Sequence, residues 1–263
     1  MQDRPLKISV VIPVYNEEGY IGACLESLMK QNVKADEIIV VDNNSTDDSF
    51  AIAKKYPIKI VHEKVQGMIP ARNRGFNEAQ YDIIARTDAD TILPPNWVKR
   101  IKKVFEDETV VGVSGPANFY DLPKYVRYTR QTKFGSTLIK SYNKIVKQIL
   151  KHDCLYGPNY AIRKEAWEKI KSTICMDDKK VHEDLDIAIH IAPYGKVKFI
   201  YSLVVKTSVR RWKRPESYIE YLYRGLLSIQ RHKQIGVRRR SKQFVKKVVE
   251  KALFLEQFPI DLK

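Results

Sequence analysis

Apolar residues fall along the first half of this chain in short blocks, separated by stretches in which they recur every three or four positions. Residues 8–15 form an apolar, β-branched run, the pattern of a strand buried on both faces. Over residues 17–30, Ile21, Leu25 and Leu28 share one helical face. Residues 37–42 repeat the strand pattern. Ser45 then offers an N-cap with Asp48 three residues on, which predicts a helix through Lys55. Residues 58–62 read as a third strand, 70–79 as a helix and 82–86 as a fourth strand. Pro94-Pro95 opens another helix, since proline is tolerated in a first turn, and 110–114 is a fifth strand. This βαβαβ order predicts a mostly parallel sheet with helices on both faces. Ligands of such sheets bind at the carboxyl ends of the strands, and 15–18, 42–45 and 88–90 all directly follow strands.

The second half is less regular. Residues 121–151 are basic and read as helical, 157–162 as a short strand or turn, 182–192 as a helix and 196–201 as a strand. A helix is predicted over 215–232 and a basic amphipathic segment over 241–258. No internal repeat or low-complexity linker is visible.

Composition narrows the partners. Of 263 residues, 44% are hydrophobic and 30% charged, enough for a globular core. The three cysteines, Cys24, Cys154 and Cys175, are odd in number and form no CxxC pair. That argues against a disulfide framework and a cysteine zinc site, and suits a reducing compartment. No apolar stretch of signal or membrane-spanning length stands out, so a cytoplasmic protein is expected, either soluble or peripheral on the inner face of the membrane. The net charge of +16 favours anionic partners: nucleic acid, anionic lipid or phosphorylated substrates. Charge crowds into Arg238-Arg239-Arg240, Lys242 and Lys246-Lys247. Beside it Phe244, Val248, Ala252 and Leu255 share a helical face, which fits either a helix on an anionic membrane surface or one packed on the main domain.

Several clusters carry possible chemistry. Asp88-Ala89-Asp90 can share one hard cation, Mg²⁺ or Mn²⁺, which would neutralise a departing diphosphate. Alone the pair also fits a solvated turn, and the same spacing recurs at Asp184 and Asp186. Its place after a strand favours the metal reading. Asp42-Asn43-Asn44-Ser45 can accept from a nucleobase or ribose, with Ser45 as a helix cap. Arg72 and Arg74, at a helix start, suit diphosphate oxygens. In His182-Glu183-Asp184 a carboxylate can act as general base, or merely stabilise the helix dipole, and His182 reads as a surface residue. In Ser208-Val-Arg-Arg-Trp212 a guanidinium and an indole can hold a phosphate and a sugar ring, or simply pack.

In this order the clusters resemble the inverting family 2 glycosyltransferases of the GT-A fold. The resemblance spans roughly residues 7–212. It rests on Pro13-Val14-Tyr15-Asn16-Glu17, Val41-Asp42-Asn43-Asn44-Ser45-Thr46-Asp47, Ala71-Arg72-Asn73-Arg74-Gly75, Thr87-Asp88-Ala89-Asp90, Gly157-Pro158-Asn159-Tyr160-Ala161-Ile162-Arg163 and Glu183-Asp184-Leu185-Asp186. It implies an α/β, Rossmann-like fold, with a catalytic domain over 1–212 divided near 115 into donor and acceptor halves. A basic helical extension would occupy 213–263. It also implies a nucleotide-sugar donor at Pro13, Tyr15, Glu17, Asp42, Asn43, Arg72, Asp88 and Asp90, with Asp88 and Asp90 as metal ligands. Gly157, Asn159, Glu183, Arg211 and Trp212 would line the sugar and acceptor pocket, and Asp184 would be the base. The implied reaction is direct displacement with inversion, from a uridine-linked donor to a glycan or lipid-linked acceptor.

Three departures are visible. Many relatives carry two acidic residues where this chain has Asp42-Asn43. Where relatives commonly place Arg a few residues after the acidic pair Glu183-Asp184, this chain has His190. Ser208 stands where processive members carry Gln, so a single sugar addition is expected. Three rival readings remain: a basic nucleic-acid-binding protein, resting on charge alone, a sugar-nucleotide pyrophosphorylase, for which the Gly-rich phosphate loop after the first strand is missing, and a family member that binds donors without turnover, against which all the acidic positions needed for chemistry are present.

Overall fold

The computed structural model describes residues 4–121, 134–177 and 181–210, together with Arg224, Gly225, Ser228, Ile229 and His232. Arg211, Trp212 and the predicted 241–258 helix lie outside the described residues, as does most of 215–232.

The first half folds as its periodicity predicts. Strand β1 (Ile8–Val14) leads to α1 (Ile21–Met29), β2 (Glu37–Asp42), α2 (Ser49–Ala53), β3 (Lys59–His62), α3 (Met68–Glu78), β4 (Ile83–Arg86), α4 (Trp97–Phe105) and β5 (Val110–Ser114). After a short β6 (Ala117–Phe119) come α5 (Phe134–Leu150), β7 (Tyr160–Arg163), α6 (Lys164–Ile170) and α7 (Glu183–Ile191). Strands β8 (Lys196–Phe199) and β9 (Val205–Thr207) follow. The helix expected from Ser45 starts later, at Ser49, and is short.

Among the described residues, seven strands make the main sheet in the order β3-β2-β1-β4-β7-β5-β8, and β6 pairs with β9 in a small second sheet. The main sheet is parallel except that β7 runs antiparallel between β4 and β5. That insertion sets the 157–159 loop, just before β7, beside the carboxyl end of β4.

Alternation along β1 explains the layers. Ile8, Val10, Ile12 and Val14 pack on one side with α1 and α4, through Leu25, Leu28, Trp97, Ile101 and Phe105. Val11 faces the other side, with Phe76 of α3, Trp167 of α6 and Ile187 of α7. Gly75 lets α3 approach the sheet closely: a Cβ there would lie 2.3 Å from a Val11 methyl and 2.8 Å from a Val41 methyl. Among the described residues no helix is long and apolar enough to cross a membrane.

Candidate active site

Two asparagines shape the carboxyl ends of β1 and β2. Asn16 and Asn44 adopt φ of 53° and 64°, in the left-handed region that asparagine tolerates better than most residues. The Asn16 amide donates to Ser45 Oγ at 3.2 Å, and its side-chain oxygen accepts from the Thr46 amide at 2.8 Å. The two loops thus brace each other and leave Tyr15 half exposed at their mouth. Asp42 is buried; it accepts from the Ser45 amide at 3.2 Å and meets His62 Nδ1 at 3.1 Å. Ser45 is therefore a loop brace and not a helix cap. Asp47 instead accepts the Ser49 amide at 3.0 Å as α2 begins.

Asn43 donates to the carbonyls of Glu63 and Val65, both at 2.8 Å, and accepts from Gly67 at 2.9 Å. Its carboxamide is committed to the 63–67 loop. Pro13 is buried within β1 beside Val41.

The arginines behave differently from expectation. Arg72 is fully buried. Its guanidinium donates to Glu183 Oε2 at 2.6 Å and to the Asn73 side-chain oxygen at 2.8 and 2.9 Å. It presents no group at the surface for a diphosphate; it orients Glu183. Arg74 is exposed and pairs with Glu78 one turn on at 2.9 Å. Arg86, which the sequence reading passed over, is the buried hub. It donates to the other Glu183 oxygen and, at 2.8 Å, to Asp88 Oδ1. Burial works against its charge, but Glu183 and Asp88 hold it protonated more firmly than usual. Glu183 thus sits between two buried guanidiniums, joining α7 to α3 and β4.

Asp90 follows on the same turn. Its oxygens accept from Thr207 Oγ1 at 3.0 Å and Arg210 Nε at 3.1 Å, and Arg210 also pairs with Glu17. Burial, then the neighbouring charge of Asp88, pushes the Asp90 carboxyl up to about 6 against the pull of Arg210 and Thr207. Arg210 thus joins Asp90 to Glu17 in this cluster.

Asp184, in the first turn of α7, is buried. It accepts from the Gly157 amide at 2.7 Å and the Leu185 amide at 2.7 Å, and pairs with His182. Burial alone would raise its pKa, but His182, the Gly157 amide and Arg86 together bring it below the ordinary value. His182 is thus part of the site and only slightly exposed, contrary to its surface reading. Gly157 is glycine for a reason of space: a Cβ would stand 2.8 Å from an Arg86 nitrogen and 3.6 Å from Asp184 Oδ2. Asn159 corrects another expectation. It is wholly buried, accepts from Trp97 Nε1 at 2.8 Å and donates to the carbonyls of Pro116 and Leu203. It anchors the loop from within the core and lines no pocket.

Tyr15, Glu17, Asp42, Asp88, Asp90, Gly157, Glu183 and Asp184 therefore gather along one edge of the sheet, linked by Arg86 and Arg210. The oxygen-only pair Asp88 and Asp90, already drawing the guanidiniums of Arg86 and Arg210, with the charge of Asp88 raising the proton affinity of Asp90, fits a hard divalent cation.

Residues 9–171 match the sequence model described as Glycosyl transferase family 2. The minor teichoic acid biosynthesis protein GgaB of Bacillus subtilis (strain 168) is 29% identical over 203 residues, 72% of this chain and 22% of that protein. The chain spans less than half the length of the curated relatives it matches. Among solved structures, mannosyltransferase PcManGT from Pyrobaculum calidifontis, in complex with GDP-Man and Mn²⁺, aligns with a TM-score of 0.64 and 20% identity. The alignment covers 99% of this chain and 77% of that one. TarS 1-349 from S. aureus, in complex with UDP-GlcNAc, aligns at 0.58 and 19%, covering 77% and 58%. The shared fold is the GT-A arrangement. The nucleic-acid and pyrophosphorylase readings gain nothing from these matches.

Proposed function

The chain belongs to glycosyl transferase family 2, and we propose on that footing that it transfers a sugar from a nucleotide-sugar donor to an acceptor hydroxyl, with inversion at the anomeric carbon. The observation that carries this reading is the convergence of three carboxylate groups, Glu17, Asp88 with Asp90, and Glu183 with Asp184, through Arg86 and Arg210. The donor is read as uridine-linked, its base stacking on exposed Tyr15 and its base or ribose meeting Asp42. A divalent cation held by Asp88 and Asp90 would set positive charge against the diphosphate oxygens.

Asp184 stays ionised at neutral pH, because His182 and the Gly157 amide stabilise its charged form. It takes the proton of the acceptor hydroxyl as that oxygen bonds to the anomeric carbon. The bond from that carbon to the diphosphate breaks, and the nucleoside diphosphate leaves with the electron pair. The missing side chain at Gly157 leaves room for the Arg86 guanidinium beside Asp184. Glu183, fixed between Arg72 and Arg86, holds the first turn of α7 in place. Arg211 and Trp212 are assigned to the sugar and acceptor pocket. The acceptor is read as a cell-envelope glycan or lipid-linked sugar, in line with the teichoic acid role in the name of the Bacillus subtilis relative. The 1–212 segment is the catalytic domain in this reading, and the basic residues beyond it face an anionic membrane surface.

The test is release of nucleoside diphosphate from a panel of UDP-, GDP- and TDP-sugars with Mn²⁺. The reading expects turnover of one donor class by the wild type and a loss of at least ~100-fold in Asp184→Asn with donor affinity kept. Turnover unaffected by Asp184→Asn would reject the assigned base.

A further inference from the structure

A second constellation lies on the other side of α7. Asp186 is two positions beyond Asp184, so its side chain points away from the proposed donor site. It is 1% exposed. One oxygen, Oδ2, accepts the Cys175 amide at 3.0 Å. The other, Oδ1, is buried and receives no hydrogen bond. What faces it is imidazole: His232 Nε2 at 3.2 Å and His190 Nδ1 at 3.8 Å. The two rings stand at 90° with centroids 4.8 Å apart.

The hydrogen bonds on these rings fix which nitrogen carries the hydrogen. His190 Nδ1 lies 2.9 Å from the Asp186 carbonyl oxygen, and His232 Nδ1 lies 2.6 Å from that of Ser228. A carbonyl only accepts, so each Nδ1 carries the hydrogen, and the neutral ring offers its lone pair at Nε2. An N–H donated to a main-chain carbonyl is the support that metal-binding histidines usually have. In the neutral state a lone pair on His232 Nε2 faces a lone pair on Asp186 Oδ1, an arrangement that a cation between them would relieve. A ring nitrogen of each histidine and a carboxylate oxygen of Asp186 lie within 4.8 Å of one another. The His190 nitrogen placed near Oδ1 is Nδ1, so His190 presents its Nε2 lone pair to an ion only once its ring turns. Two ligands on a tetrahedral Zn²⁺ stand about 3.3 Å apart, so that turn and small side-chain movements close the set.

We propose that Asp186, His190 and His232 form a second divalent-metal site, of the two-histidine, one-carboxylate kind that takes Zn²⁺. It is separate from the oxygen-only pair at Asp88 and Asp90, whose chemistry suits a harder ion. An open cleft of about 520 Å³, bordered by Cys175, Met176 and Asp177, gives the ion access and leaves a coordination position for water. The site also ties distant parts of the chain together. His232 comes from the segment in which Ser228 Oγ accepts the His182 amide at 2.7 Å and Ile229 packs with Leu185 and Ile189. A bound ion would clamp that segment onto the helix that carries Asp184.

The experiment uses the full chain, stripped with chelator and titrated with Zn²⁺ against a colorimetric competitor. One equivalent is expected to bind the wild type and to persist in Asp88→Asn/Asp90→Asn. Binding should weaken by at least about 100-fold in His190→Ala and in His232→Ala. Co²⁺ should give visible bands in the wild type that both histidine variants lose. Far-UV circular dichroism checks that the variants fold. Should either not fold, the anomalous zinc peak in a wild-type crystal decides by lying between the three side chains or elsewhere. Zinc binding unchanged in the histidine variants, lost only with the Asp88 and Asp90 changes, or absent from the wild type would overturn the proposal.

Discussion

Arg210 donates from Nε to the Asp90 carboxylate at 3.1 Å, so the group assigned to a divalent cation already has a cationic partner. Arg210 and a metal ion then compete for one carboxylate. The arginine side chain is 37% exposed, which limits the pair to roughly 0.5–1 kcal/mol. Arg210→Gln is therefore expected to tighten Mn²⁺ binding by roughly two- to fivefold, read by electron paramagnetic resonance of free Mn²⁺. Weaker binding in the variant would show that Arg210 assists the ion.

Asp90 gives a pH signature. In the metal-free folded chain its carboxyl titrates at about 6, whereas an unfolded aspartate titrates near ~3.9. The folded state therefore holds this proton more tightly. The stability it contributes is fully present below about pH 4 and is lost as pH rises through 6, a change on the order of 3 kcal/mol. Asp90→Asn is neutral throughout and lacks that slope. Metal-free melts from pH 4 to 7 should show the wild type losing stability relative to the variant as pH rises; parallel curves would contradict the assignment.

Glu183 faces two buried guanidiniums, Arg72 at 2.6 Å and Arg86 on its other oxygen. Replacing it with the isosteric, uncharged Gln removes the carboxylate that Arg72 pairs with and leaves Arg86 with Asp88 alone. Glu183→Gln is expected to cost about 3–5 kcal/mol in urea unfolding. A change below about 1 kcal/mol, the scale of an exposed pair, would mean that water reaches these groups.

How much of this was legible in the sequence depends on the distance over which each feature is decided. The strands and helices of the first half follow from local apolar blocks such as 8–15 and 37–42. The carboxylate clusters follow from their position after strands. The directions of long polar side chains do not. Arg72 turns inward because Glu183, 111 positions later, is there to receive it. Arg86 ends a strand and reads as a polar terminus; the one hint is a charge that continues the fully buried run Ile83–Arg86. Asn159 was expected in the sugar and acceptor pocket through the family resemblance, yet Trp97 and two carbonyls hold it in the core. Placing Arg210 beside Asp90 needed the path of the chain after β9, where alternation ends: Thr207 and Ser208 are both buried.

Gly157 is the tightest point between the proposed base and the arginine hub. A methyl group there would press on Arg86 at 2.8 Å and stand 3.6 Å from Asp184 Oδ2. Gly157→Ala is expected to destabilise by about 1–3 kcal/mol and to lower kcat/KM by about 10-fold or more, since small misplacements at a reacting centre are costly. Full turnover with an unchanged melt would place the acceptor's approach elsewhere.

The central claim is that Asp88 and Asp90 hold a metal against the diphosphate of a nucleotide donor. Its most direct test is thermal shift with UDP, GDP, TDP and CDP, each with and without Mn²⁺, on the wild type and on Asp90→Ala. Ligand at a hundred times its Kd stabilises by roughly 2.7 kcal/mol, within reach of such a scan. The predicted result is a metal-dependent shift with one diphosphate, UDP, that disappears in Asp90→Ala. No shift with any of the four, or an equal shift in the variant, would contradict the account.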